Sequence, residues 1–295
     1  VTESLQVDAQ MSTALAMPLP ASAPGVLDVD PTDPFYFDHP LDHVPGILLF
    51  IGLLDRVQAA RRQPAAGLPG TNGGAGDAGQ LVAAFTFGRF CELDAPIGTC
   101  VEPDEGARAW TAEAIQSGAA VCTGTVCYET PRREAGPFEP APAPPAQPAP
   151  GPLVHRARPE NVLVGVPDRS ETTTRVALLN PPEGQLLRRR SHWHRTAEEM
   201  VEGARQLGVL LWQHEYGRAA DARLLLEDLQ CRLPCTLPRD LRLELRWRRQ
   251  PRRGNAARFS IELASSGTGE RLGTVVFGTR VMSEAVYRRL RGIDA

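Results

Sequence analysis

The chain has 295 residues, 42% of them hydrophobic, with 32 basic side chains against 35 acidic ones. That length accommodates one large domain or two ordinary ones, and the near-balanced charge excludes a general electrostatic attraction to nucleic acid or to an anionic membrane. Every basic residue is arginine, which excludes a lysine Schiff base and a P-loop lysine.

The opening segment "VTESLQVDAQ" is acidic and polar, unlike a signal peptide, and the longest apolar run, "VPGILLFIGLLD", is too short to span a bilayer. A reduced, cytoplasmic protein is therefore expected. "GVLDVDP" reads as a strand. "PGILLFIGLLDRVQAARRQ" reads as a helix apolar on most faces. The glycine-rich "PAAGLPGTNGGAGDAG" that follows lacks a GK[ST] ending and a preceding strand, so it reads as a surface loop. "GQLVAAFTFGRFCELDAP", "IGTCVEP", "RAWTAEAIQSG" and "AAVCTGTVCYE" carry strand periodicity. The six cysteines have CxxxxC and CxxxC spacings, poor for zinc, and most lie in strand-like apolar runs where cysteine packs as a small hydrophobe. No metal or cofactor is expected.

"PRREAGPFEPAPAPPAQPAPGPL" is a Pro/Ala tract and reads as an extended linker over residues 131–153. Beyond it, "ENVLVGVPD" and "TTTRVALLN" read as strands. "TAEEMVEGARQLGVLLWQHEYG" reads as a helix, with Thr196 as N-cap, Glu199 at capping-box spacing and Gly217 as its stop. Four strand-like segments follow: "ARLLLEDLQCRLP", "DLRLELRWRRQ", "ARFSIELASSG" and "ERLGTVVFGTRV". The amphipathic "SEAVYRRLRG" closes the chain. One long helix followed by an antiparallel sheet, twice over, predicts an α+β double hotdog of two β-α-β4 units. The expected boundaries are residues 1–130 and 154–295.

Several motifs resemble a known family. "VHRARPENVLVG", "VEGARQLGVLLWQHEYG" and "SEAVYRRLRG" resemble the first hotdog repeat of the A-factor-type γ-butyrolactone biosynthesis enzymes, and "FYFDHPLDHVPGILLF" resembles their second. The repeats stand here in reversed order. The family pattern places Glu-x-x-Arg-Gln on both helices; here only the C-terminal helix has it, at Glu202, Arg205 and Gln206, while Ile51, Leu54 and Asp55 stand at the matching places. The resemblance implies transfer of a β-ketoacyl group from an acyl carrier protein to the hydroxyl of dihydroxyacetone phosphate or a similar small phosphorylated acceptor. Hotdog dehydratases and thioesterases are the alternative, and a non-catalytic acyl-binding protein is a third.

Such chemistry needs a base for the attacking hydroxyl and donors for the developing oxyanion. The pairing seen in dimeric hotdog enzymes, carried over, faces His39 with Glu202 across the two halves, within one chain or between two in a homodimer. The reciprocal pairing, His192 or His194 with Ile51, lacks a carboxylate. Arg205 stands beside Glu202 as its expected partner. Substrate contacts are expected from Gln206, from Gly46 at a helix N-terminus, from His43, and from Arg195 and His194 in the basic cluster "RRRSHWHR". Each has a plainer reading: Glu202 as a solvated helix residue, His39 and His43 as loop-bracing histidines, and the cluster as an ordinary strand end.

Overall fold

The computed structural model describes residues 25–62, 79–104, 108–130, 146–216, 222–250 and 256–292. The N-terminal half runs β1 (Gly25–Leu27), α1 (Gly46–Arg62), β2 (Gln80–Phe87), β3 (Ile97–Pro103), β4 (Ala109–Gln116) and β5 (Ala119–Glu129). The C-terminal half runs β6 (Asp168–Arg169), β7 (Thr173–Leu178), α2 (Leu186–Arg190), β8 (His194–Thr196) and α3 (Ala197–Tyr216). It continues through β9 (Ala222–Pro234), β10 (Thr236–Pro238), β11 (Leu243–Arg248), β12 (Ala256–Ser265), β13 (Arg271–Ser283) and α4 (Glu284–Leu290).

Eleven strands form one sheet in the order β1-β3-β4-β5-β2-β9-β13-β12-β11-β7-β6. Reading outward from the β2–β9 pair, the two halves repeat one order: the first strand after the long helix, then the last, the next inward, and so on to the strand before the helix. The join is antiparallel, Gln80 opposite Pro234 through Thr86 opposite Asp228, and Arg232 ties it by donating to Gln80 and Glu129. Strand β4 alternates buried and open positions, so one face meets α1 and the other solvent. Helix α1 buries Ile47, Leu48, Leu49, Phe50, Ile51, Leu53, Leu54 and Val57, an all-round apolar surface suited to a helix enclosed by a sheet and a second half. Each fully buried side chain of that kind contributes about 1.5–3 kcal/mol. Cys91, Cys122 and Cys231 lie in this core. No helix among the described residues is long and apolar enough to cross a membrane.

Three expectations are corrected. "ENVLVGVPD" forms only isolated bridges, a short 3₁₀ turn at Pro159–Asn161 and the two-residue β6. Gln206 on α3 accepts from Leu163 N at 2.8 Å and donates to Asn161 O at 2.7 Å, so pairing with β7 is confined to Leu163 O, which accepts from Leu179 N, and Gly165 N, which donates to Ala177 O. The strand expected through "FGRFCELDAP" ends at Phe87; further on, Gln116 accepts from Glu92 N and donates to Glu92 O and Ala95 O, which holds that stretch as a loop. Of the Pro/Ala tract, residues 131–145 lie outside the described residues. From residue 146 the chain is already packed on the C-terminal half: Ala149 N donates to Val164 O, and Gln213 reaches Pro152 O. Gly217, the expected helix stop, also lies outside the described residues, as does the glycine-rich loop save for Gly79.

Candidate functional site at the seam between the halves

The loop preceding α1 is shaped by Asp33, whose carboxylate accepts from Phe35 N and Tyr36 N. That turn points carbonyls across the seam: Phe35 O accepts from Arg156 Nη1 at 2.5 Å and Pro34 O from Asn161 Nδ2 at 2.7 Å. The Arg156 guanidinium also lies over the Phe35 ring, 4.8 Å from its centroid. The N-terminal loop is thereby fixed to the "VHRARPEN" segment of the other half.

Glu202, with no exposed surface, is the hub beneath this contact. Its carboxylate accepts from Arg156 Nη2 at 2.6 Å, from Arg205 Nε at 2.7 Å and Nη2 at 2.8 Å, and from Gln206 Nε2 at 2.8 Å. Burial opposes the charge, but the two guanidiniums outweigh it and hold the pKa well below the usual carboxylate range, at about 2. An ionised, saturated carboxylate of this kind does not donate a proton near neutral pH. Its role is to anchor Arg156.

Arg156 in turn faces Asp38, 3.6 Å away, whose side chain has no exposed surface. Asp38 accepts from Ala157 N and Asn161 Nδ2, and its Oδ1 lies 2.6 Å from His39 Nδ1. Burial again opposes the charge, while His39, Arg156 and Asn161 lower the pKa to about 2. Since an ionised carboxylate only accepts, the Nδ1 facing it carries a proton, an arrangement that in the neutral tautomer leaves the lone pair on Nε2. That Nε2 is buried and has no hydrogen-bond partner among the described residues. His39 and Asp38 also line a cleft of about 320 Å³ whose other walls include Pro31, Phe37, Leu41 and Leu93.

His39 and Glu202 are thus brought to one seam, through Asp38 and Arg156 rather than face to face. The remaining expected residues are placed elsewhere or otherwise engaged. Gln206 serves the backbone of residues 161–163. Gly46 is crowded by Phe87 and Leu226, against which an added Cβ would stand 3.3 and 3.0 Å away. His43 is braced by Asp42 at 2.7 Å and packs on Phe90, with Tyr287 of α4 donating to Asp42. Arg195 is buried, donates to Leu179 O and faces Glu199 at 3.6 Å; burial lowers its pKa to about 10. His194 is exposed at the edge of β8, its N–H on Ser191 Oγ. At the reciprocal place Ile51 is buried, and Asp55 pairs outward with Arg190. Glu199 does not close a capping box; its carboxylate pairs with Arg239.

Four participants were not singled out from the sequence: Asp38, His155, Arg156 and Asn161. His155 packs its ring on that of His39, centroids 4.2 Å apart. All four lie inside the two motifs quoted above, so position was legible and pairing was not.

Two apolar helices against one antiparallel sheet, with polar groups converging where the halves meet, define a protein of the hotdog fold. The fold is shared with the dehydratase domain of PpsC from Mycobacterium tuberculosis in complex with C12:1-CoA (16% identity, 88% of this chain, 92% of that one, TM-score 0.54). It is shared too with the dehydratase domain of RzxB from Pseudomonas fluorescens (13%, 81%, 86%, 0.52). A third similar structure is a hotdog protein of unknown function from Alicyclobacillus acidocaldarius (14%, 88%, 92%, 0.53). No curated protein sequence matches. Residues 139–283, which make up the C-terminal half, match the A-factor biosynthesis hotdog domain.

Proposed function

We propose that the chain is a double hotdog acyltransferase, in which residues 25–130 are the partner repeat and His39 is the general base. The donor is a β-ketoacyl thioester on an acyl carrier protein; the acceptor is a small hydroxyl compound bearing a phosphate, of the dihydroxyacetone phosphate type. The acceptor O–H gives its proton to His39 Nε2 as the oxygen adds to the thioester carbonyl carbon. The carbonyl π pair moves to its oxygen. Collapse of that oxyanion breaks the C–S bond, and the thiolate recovers the proton from the imidazolium. Asp38 fixes the tautomer and stabilises the imidazolium. Arg156 and Glu202 are positioning residues. Arg205, whose side chain is 21% exposed, is a cation available to an anionic acceptor. The cleft beside His39, with Phe37, Leu41 and Leu93 on its walls, takes the first part of the acyl chain.

The observation that carries this reading is the state of Glu202. Dehydration needs an acid to protonate the departing hydroxyl, and Glu202 is ionised and fully paired, which supports acyl transfer over elimination. The test is product analysis by mass spectrometry with a β-ketoacyl pantetheine thioester and a small phosphorylated alcohol. An ester supports the proposal. An enoyl thioester establishes a dehydratase, a free acid a thioesterase, and binding without turnover a non-catalytic acyl-binding protein.

A further inference from the structure

His155 belongs to the C-terminal half, yet its ring rests on His39 of the N-terminal half. The backbone that puts it there is unusual. His155 has φ 56° and ψ 50°, a left-handed conformation that L side chains rarely adopt and that Gly or Asn ordinarily fills. The turn is tight: the N–H groups of His155 and Arg156 both donate to Gly151 O, and a Cβ on Gly151 would meet Arg156 O at 2.5 Å. A position whose backbone favours glycine, filled by a histidine, points to a use for the side chain.

The surroundings say what that use is. His155 keeps one side open to solvent, whereas His39 Nε2 is enclosed without a partner among the described residues, so the two imidazoles present one accessible and one sheltered nitrogen at the same seam. The protein packed against its inner, His39-facing side removes water from that part of the ring, and together with the nearby cations Arg205 and Arg156 this moves the His155 pKa downward. Its uncharged ring therefore has one N–H to donate at neutral pH, and it does not compete with His39 for the acceptor's proton.

We infer that His155 is a second catalytic residue, donating its N–H to the thioester oxygen as that oxygen becomes an oxyanion. This rests on the acyl-transfer reading and adds to it the missing donor. Substrate parts the two rings: the acceptor hydroxyl meets His39, and the carbonyl oxygen meets His155. When the oxyanion collapses, the C–S bond breaks, the carbonyl re-forms and the His155 N–H is retained.

The test compares the full-length wild type with His155→Gly and His155→Asn in turnover of a β-ketoacyl pantetheine thioester and in thermal unfolding. Glycine relaxes the left-handed position, so the expected result is a Tm at or above that of the wild type. Its kcat should fall about 100-fold with KM within about threefold, the magnitude of losing one oxyanion donor. Asparagine keeps a donor and should recover about tenfold of that loss. A wild type that turns over alongside an equally fast His155→Gly overturns the inference and leaves the reading standing. So does a His155→Gly whose Tm drops by several degrees with matching loss of activity, which would make the residue structural. A wild type inert on every thioester removes both.

Discussion

Helices α1 and α3 occupy equivalent places in the two halves, and one packing device is common to them. Gly52 on α1 lies where a Cβ would overlap the Leu27 side chain of β1; Gly203 on α3 lies where a Cβ would overlap Leu178 of β7. The residue just before each glycine is buried, Ile51 at 1% exposure and Glu202 at 0%. The frame is therefore shared and the chemistry is not. A carboxylate survives at that depth only with Arg156 and Arg205 to satisfy it, and α1 has Leu54 where α3 has Arg205. What the N-terminal half lacks at this place is a whole ion cluster, not one acid.

The largest break in this comparison is Glu202→Gln. It leaves two guanidiniums without their shared counter-ion, and removing one partner of a buried pair costs about 3–5 kcal/mol. Urea denaturation should show a correspondingly lower midpoint; an unchanged midpoint would mean that the cluster is not holding the seam. Ile51→Ala, at the equivalent place, should cost about 2–4 kcal/mol through the cavity alone, and unlike Glu202→Gln it should lose no more at pH 7 than at pH 3.

Acid sharpens the same contrast. The folded pKa of Glu202 lies near 2 and its ordinary value is 4.5. Folding thus binds fewer protons at this site than unfolding does, so the stabilisation is complete above about pH 4.5 and is lost as pH falls toward 2. The Tm gap between wild type and Glu202→Gln should close across that window. The smallest effect belongs to the pair at the edge of α1: Asp55→Ala, which removes a half-exposed carboxylate and leaves Arg190 its contact with Glu198, should change stability by about 0–1 kcal/mol. A larger loss would show that the Asp55–Arg190 pair braces the seam as Arg156 does.

Much of the fold was legible because it depends on local pattern. β3, β4 and β5, then β9, β11, β12 and β13, and both long helices were readable from period and turn punctuation, whereas the short β8 and β10 were not. The "ENVLVGVPD" strand failed where a side chain 43 residues downstream, Gln206, claims Leu163 N. The site divided along the same line. His39 and Glu202 were readable as candidates, since a histidine before Pro-Gly and a carboxylate in an apolar helix are visible in one dimension. That they communicate through Asp38 and Arg156 depends on contacts 121 and 46 residues apart in sequence, such as Arg156 to Phe35 O and to Glu202. Arg195 looked like a substrate contact because arginine in a basic run resembles an anion site; only burial reveals it as a partner for Glu199.

The measurement that bears most directly on the central claim is the kcat of His39→Ala on a β-ketoacyl thioester with a hydroxyl acceptor, alongside its Tm. Losing a positioned general base predicts a fall of about 100- to 10,000-fold with the unfolding temperature within a few degrees of wild type. An enzyme that keeps its turnover without the imidazole at position 39 would contradict the account.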